Sequence, residues 1–220
     1  MTFPGRNIRA VLLATCVLGG CAVPATRSDY SALKTESPRS ILIVPAINRS
    51  VEVNAADYLL ATVSRPLAEK GYYVFPVRLV KSVMDDDGLS DADMVHANSP
   101  KRLGQLFGAD AVLYITIEKW HAQYAIFSTA VVVELSYLLK STATEQVLWK
   151  NQQKVVYQPQ NNNNGLAGLI ANAIVAAITR AAPNYMPLAQ QANRQAIYTK
   201  GTGLPAGPYS DYYKKDQEDF

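Results

Sequence analysis

Cysteine and histidine are nearly absent from this chain of 220 residues, which holds two of each. Two cysteines allow at most one disulfide, so no disulfide framework holds the fold together. Nor can they build a cysteine zinc site, and His96 and His121 are too widely spaced to form a zinc signature. An excess of either charge is lacking as well: 21 Lys and Arg stand against 18 Asp and Glu, a formal +3. No basic stripe interleaved with aromatics occurs, which argues against a nucleic-acid partner. The apolar run at residues 10–18 falls short of the roughly 20 residues a membrane-spanning helix needs. Neither a G-x-S-x-G elbow nor a phosphate loop with G-K-[ST] is present. The acidic cluster Asp85-Asp86-Asp87-Gly88, with Asp91 and Asp93, invites a calcium reading. With Gly88 at the sixth loop position, however, Val83 and Met94 fall at the first and twelfth, where oxygen ligands are required. The cluster reads as a solvated helix stop, His96 as a solvated surface residue and His121 as a structural residue at a strand end. The expectation is no metal, no cofactor and no enzymatic activity.

What the N-terminus does contain is ordered. Arg6 and Arg9 form a short basic region, the apolar run follows, and Leu18, Gly19 and Gly20 lead into Cys21. A basic start, a brief apolar stretch and small residues at a cut site are the layout of a secretory signal peptide, here residues 1–20. LGGC resembles the lipobox of bacterial lipoproteins, in which the cysteine receives a diacylglycerol and becomes the new N-terminus. That resemblance implies lipid on Cys21 and membrane attachment through acyl chains, which anchor stably when two or more are present. Cleavage removes Arg6, Arg9 and Cys16, leaving 19 basic against 18 acidic residues, and lipidation consumes the one remaining thiol. Ala22 rather than Asp follows the cysteine, which among lipoproteins favours the outer membrane, at its periplasmic face.

Beyond Cys21 the pattern divides into a flexible tether at 21–39, one domain at 40–200 and an extended or disordered tail at 201–220. SILIVPA, residues 40–46, reads as a strand buried on both faces. Leu59, Val63 and Leu67 recur at helical spacing over 55–70, with Pro66 an awkward member and Gly71 a terminator. A strand is expected at 72–77 and a helical turn at 79–84. A short helix capped by Ser90 should follow, then a helix opened by Ser99-Pro100 and closed by Gly108. Strands are expected at 108–120, 128–140 and 145–157, the last two joined as a hairpin, with Val131, Val133, Leu135, Tyr137 and Leu139 inward. A helix over 166–182 carries a continuous apolar stripe, and a more polar helix spans 186–198. The other side of the 166–182 helix is small and uncharged, with Gly168, Ala171, Asn172, Val175 and Ala176. It is open to three readings: a central core helix, a self-association or partner surface, or a membrane-inserting segment. Early strand–helix alternation followed by a hairpin predicts an α/β fold with a single mixed β-sheet flanked by helices.

SILIVPA, EKGYYVFPV and LGQLFGADAVLYITIEKW together resemble a TolB N-terminal or CsgG-like α/β domain. With the lipobox, the chain is similar to a family of proteobacterial outer-membrane lipoproteins without assigned activity, of the meningococcal vaccine-candidate type. One departure is visible: where CsgG-like strands often place Gly after the VL pair, this chain has Tyr114-Ile115-Thr116. The resemblance implies a lipid-anchored binding or assembly protein of the envelope, associating with itself as a homo-oligomer, a dimer, or with a CsgG-like or other envelope lipoprotein in secretion or transport. Activation of a murein synthase is the alternative, though the tether is short for it; a hydrolase with unrecognised geometry is the third reading. The fold alone assigns none of them.

Overall fold

The computed structural model describes residues 28–125, 128–157, 185–216 and 218–220, without the side chains of residues 122–130 and 157. Chain order is α1 (Ser31–Glu36), β1 (Ser40–Ile43), β2 (Ile47–Asn48), α2 (Ala55–Glu69), β3 (Tyr73–Val74), α3 (Val77–Asp86), α4 (Ala92–Ala97), α5 (Pro100–Phe107), β4 (Ala111–Ala125), β5 (Ser128–Ser141), β6 (Val147–Tyr157) and α6 (Met186–Tyr198). The strands form one mixed sheet in the order β3-β1-β4-β5-β6, with β2 also on β4. β1 runs parallel to β3 and β4, whereas β4, β5 and β6 form an antiparallel meander.

The central strands are apolar on both sides because both sides are covered. Ile41 and Ile43 with Ala111, Leu113, Ile115 and Ile117 meet α2 and α6 on one side. Leu42, Val44, Val112 and Tyr114 meet α3, α4 and α5 on the other. The meander differs. Val131, Val133, Leu135, Tyr137 and Leu139 all point to the α2–α6 side and are buried, as the alternation predicts.

Local chemistry explains the element ends. The Ser99 hydroxyl accepts from the Arg102 amide at 3.2 Å, Pro100 fills the first turn, and Gly108 closes α5 at φ 70°. The cap of α4 is Asp91, which accepts from the Met94 amide, and not Ser90; its carboxylate stands one residue nearer the helix. Pro66 does not break α2. It removes the amide that would bond the Thr62 carbonyl, and the helix runs only to Glu69. Asp110 fastens the start of β1: one carboxylate oxygen accepts from the amides of Arg39 and Ser40 and from the Ser40 hydroxyl, at 2.9–3.0 Å. The strand expected over 72–77 pairs only at Tyr73 and Val74, since Pro76 caps α3 immediately after.

Both ends of the domain extend further than the sequence pattern indicates. Residues 28–39, read as tether, include α1, and Tyr30 and Leu33 are core residues. The Tyr30 hydroxyl donates to the Gly203 carbonyl at 2.7 Å. Residues 201–220, read as extended or disordered, fold back as a strap that buries Leu204 fully and sets Phe220 edge-on to Tyr30. Gly71, at φ 88°, lets that strap close: a Cβ there would lie 2.4 Å from the Ser210 amide.

Candidate functional site

Beyond Val112, Tyr114 and Leu138, which pack against the α3–α5 cluster, no described helix covers the second side of the β4–β6 meander, and there the side chains are mostly polar. The ladder sets Thr116 beside Ser136 and Gln152, Lys119 beside Glu134 and Lys154, and Tyr114 beside Leu138 and Lys150. A bulge between Ile117 and Lys119 adds one residue to β4. Both Glu118 and Lys119 thereby engage groups on the open side: the Glu118 carboxylate accepts from the Ser136 hydroxyl at 3.1 Å, and the Lys119 ammonium lies 3.0 Å from Glu134. Past the bulge Trp120 turns inward and is 1% exposed. The spacing of Ile117 and Trp120, three residues within a two-residue period, is the sequence signal for this bulge. Arg49 adds a 3.3 Å ion pair to Glu118. Lys140, Lys150 and Lys154 make no ion pair among the described residues, leaving the face basic.

At the end of this face nearest α4 lies a cleft of about 220 Å³, walled by His96, Asn98, Tyr114, Thr116, Ser136, Leu138 and Lys140. His96 is half-buried rather than solvated. Its neighbours in sequence are polar, but the fold sets its ring edge-on to Tyr114, centroids 5.1 Å apart. Its Nε2 lies 3.0 Å from the Pro45 carbonyl. A carbonyl only accepts, so that nitrogen carries the proton. Burial draws the imidazole pKa below 6.5, against the opposing pull of the Pro45 hydrogen bond and of Asp93. The Tyr114 hydroxyl is pushed up to about 12, chiefly by burial and secondarily by Glu145. That hydroxyl is buried without a hydrogen-bond partner among the described residues.

Chemically the cleft offers donors and one cation. Its best nucleophile, Ser136, is engaged with Glu118. His121 is half-buried on β4, opposite Val132. Asp85 and Asp87 of the acidic cluster pair with Lys81 and, at 3.9 Å, with Arg102. Cys21, Leu18, Gly19 and Gly20 lie outside the described residues, as do Gly168, Ala171, Asn172, Val175 and Ala176.

The buried imidazole makes stability depend on pH with a definite sign. The unfolded chain takes up a proton near 6.5 and the folded chain only at lower pH, so stability present above 6.5 declines as the pH falls through that window. Urea midpoints at pH 7.5 and 5.5 should differ more for the wild type than for His96→Gln, which keeps a donor for Pro45. Equal differences would show that the imidazole is not desolvated.

Comparison with known proteins places this architecture. Lipoprotein NMB1124/NMB1162 of Neisseria meningitidis serogroup B is 37% identical over 165 residues, covering 74% of this chain and 77% of that protein. The crystal structure of lipoprotein GNA1162 from Neisseria meningitidis superposes with a TM-score of 0.55 at 37% identity, over 63% of this chain and 96% of that one. The NMR structure of E. coli LpoB gives a TM-score of 0.40 at 15% identity, over 72% of this chain and 83% of that one. Residues 28–209 match the profile of the GNA1162-like lipoproteins, and the chain belongs to that family.

Proposed function

We infer that this lipoprotein is a non-enzymatic docking module, held by lipid on Cys21 at the periplasmic face of the outer membrane, whose open sheet face receives an acidic envelope protein. The observation that carries this reading is the meander's second face: β4, β5 and β6 bury one face against α2 and α6 and, beyond Tyr114 and Leu138, leave the other bare of helices among the described residues. Charge selects the occupant. Lys140, Lys150 and Lys154 are the cations of this face without an ion pair among the described residues, so a partner rich in Asp and Glu complements it. A second copy docked face to face would oppose like charges. Self-association, expected through Gly168, Ala171, Asn172, Val175 and Ala176, concerns positions outside the described residues. Family membership supports the membrane-anchored setting.

Site-specific photocrosslinking in cells tests the reading. A photoreactive residue at Gln152, exposed in the middle of the face, should give a defined adduct, and one at Leu79, exposed on α3, should not. Lys150→Glu with Lys154→Glu should abolish the Gln152 adduct without shifting the melting temperature. An adduct insensitive to both charge reversals, or none at all, would overturn the assignment.

A further inference from the structure

We propose that the cleft between α4 and the open sheet face binds a carboxylate, received by the Tyr114 hydroxyl and the Lys140 ammonium. Tyr114 is 7% exposed, forms a wall of the cleft and has no hydrogen-bond partner among the described residues. A buried donor left idle beside a cleft calls for an acceptor, and burial keeps this phenol protonated, hence a donor, across the physiological range. Lys140 brings a positive charge to the same cleft. Thr116 and Asn98 add a hydroxyl and an amide. No carboxylate forms part of the wall; Glu118 is already engaged by Ser136 and Arg49, and Glu145 acts on the Tyr114 hydroxyl from outside the wall.

The charge count distinguishes among anions. His96 commits its Nε2 proton to Pro45 and is neutral at physiological pH, so Lys140 is the single full charge of the cleft. One cation with neutral donors suits a monoanionic carboxylate better than a dianionic phosphate. Leu138 and the His96 ring supply apolar wall, and about 220 Å³ admits the carboxylate with a short apolar stem. Such a group is carried by a small free acid or by the C-terminal residue of a polypeptide. The proposal stands apart from protein docking at Lys150 and Lys154, because it is tested with small acids on the purified chain.

Saturation-transfer NMR on the full chain in detergent, observing the ligand, tests it with propionate, N-acetyl-alanine, N-acetyl-alanine amide and inorganic phosphate. Binding of propionate or N-acetyl-alanine is expected, with about tenfold weaker binding of the amide and of either acid to Tyr114→Phe or Lys140→Met. Equal binding of the two acids assigns the site to free acids; tighter binding of N-acetyl-alanine assigns it to a polypeptide terminus. Without ligand, Tyr114→Phe should melt at the wild-type temperature or above it, since only an idle hydroxyl is removed. Four results would overturn the proposal: no binding of either acid, tighter binding of phosphate, undiminished binding to Tyr114→Phe, or a lowered melting temperature for that variant. The last would show that the hydroxyl is satisfied by an ordered water.

Discussion

Removal of residues 201–220 is expected to unfold the domain. The strap accepts hydrogen bonds from four side chains: the Tyr30 hydroxyl on the Gly203 carbonyl at 2.7 Å, the Tyr72 hydroxyl on the Pro205 carbonyl at 3.1 Å, and the Trp149 indole and Asn151 amide on the Thr202 carbonyl, each at 2.9 Å. It also covers the end of α2, where its Gly207 and Tyr209 amides donate to the Lys70 and Gly71 carbonyls. Leu204 is fully buried and belongs to the main core. Losing a buried leucine costs about 2–5 kcal/mol, and each buried donor left without an acceptor about 1–3 kcal/mol. Together these reach the whole stability of an ordinary domain, about 5–15 kcal/mol. Circular dichroism of the truncated chain should show no cooperative urea transition. Leu204→Ala isolates one contribution and should lower stability by about 3 kcal/mol. A truncated chain unfolding at the wild-type midpoint would refute the role given to the strap.

The second large effect is expected at Asn193, the fully buried polar side chain on the inner stripe of α6. Its Oδ1 accepts from the Tyr137 hydroxyl at 2.8 Å, and its Nδ2 donates to the Thr62 hydroxyl oxygen at 2.8 Å. One amide therefore ties α2, α6 and β5 together beneath the sheet. Burial pushes the Tyr137 phenol well above its ordinary range, so it stays a donor and needs this acceptor. Asn193→Ala orphans that donor and opens a cavity, at a cost of about 3 kcal/mol. For a domain of this size the melting temperature should fall by roughly 6–12 °C. Adding Tyr137→Phe to Asn193→Ala should cost less than Tyr137→Phe does alone, because the orphan is then gone; strict additivity in that double-mutant cycle would mean the two side chains do not interact.

Most of the fold is visible in the sequence because its signals are local. The apolar run at 41–44 demands two covers and receives them. Ser99-Pro100 and Gly108 bracket α5 with a cap and a left-handed stop. The alternation from Val131 to Leu139 sets the meander's inner face. The misread parts depend on distant partners. Tyr30 and Leu33 sit among polar residues without a period, and what buries them includes Phe220 and the loop at Gly203. His96 lies in a polar stretch, and its burial comes from Pro45 and Tyr114 on other elements. The cleft was illegible for the same reason. Its residues come from α4, β4 and β5 and the positions between elements, and none carries a motif. Only the bulge left a trace, in the displaced apolar period at Trp120.

α1 is part of the domain, which brings the folded body close to the N-terminal anchor site. The Ser28 amide donates to the Gly201 carbonyl at 3.0 Å, so Ser28 already belongs to the folded body. With the proposed lipid on Cys21, seven residue steps separate the anchor from Ser28, a reach of at most about 25 Å even fully stretched. Under the proposed anchorage that reach keeps the domain close to the bilayer, with the side that bears Ser28 and Gly201 toward the lipid. Under that anchorage the protein works as a bracket on the membrane rather than as a long arm, and what it engages must come to the membrane to be met.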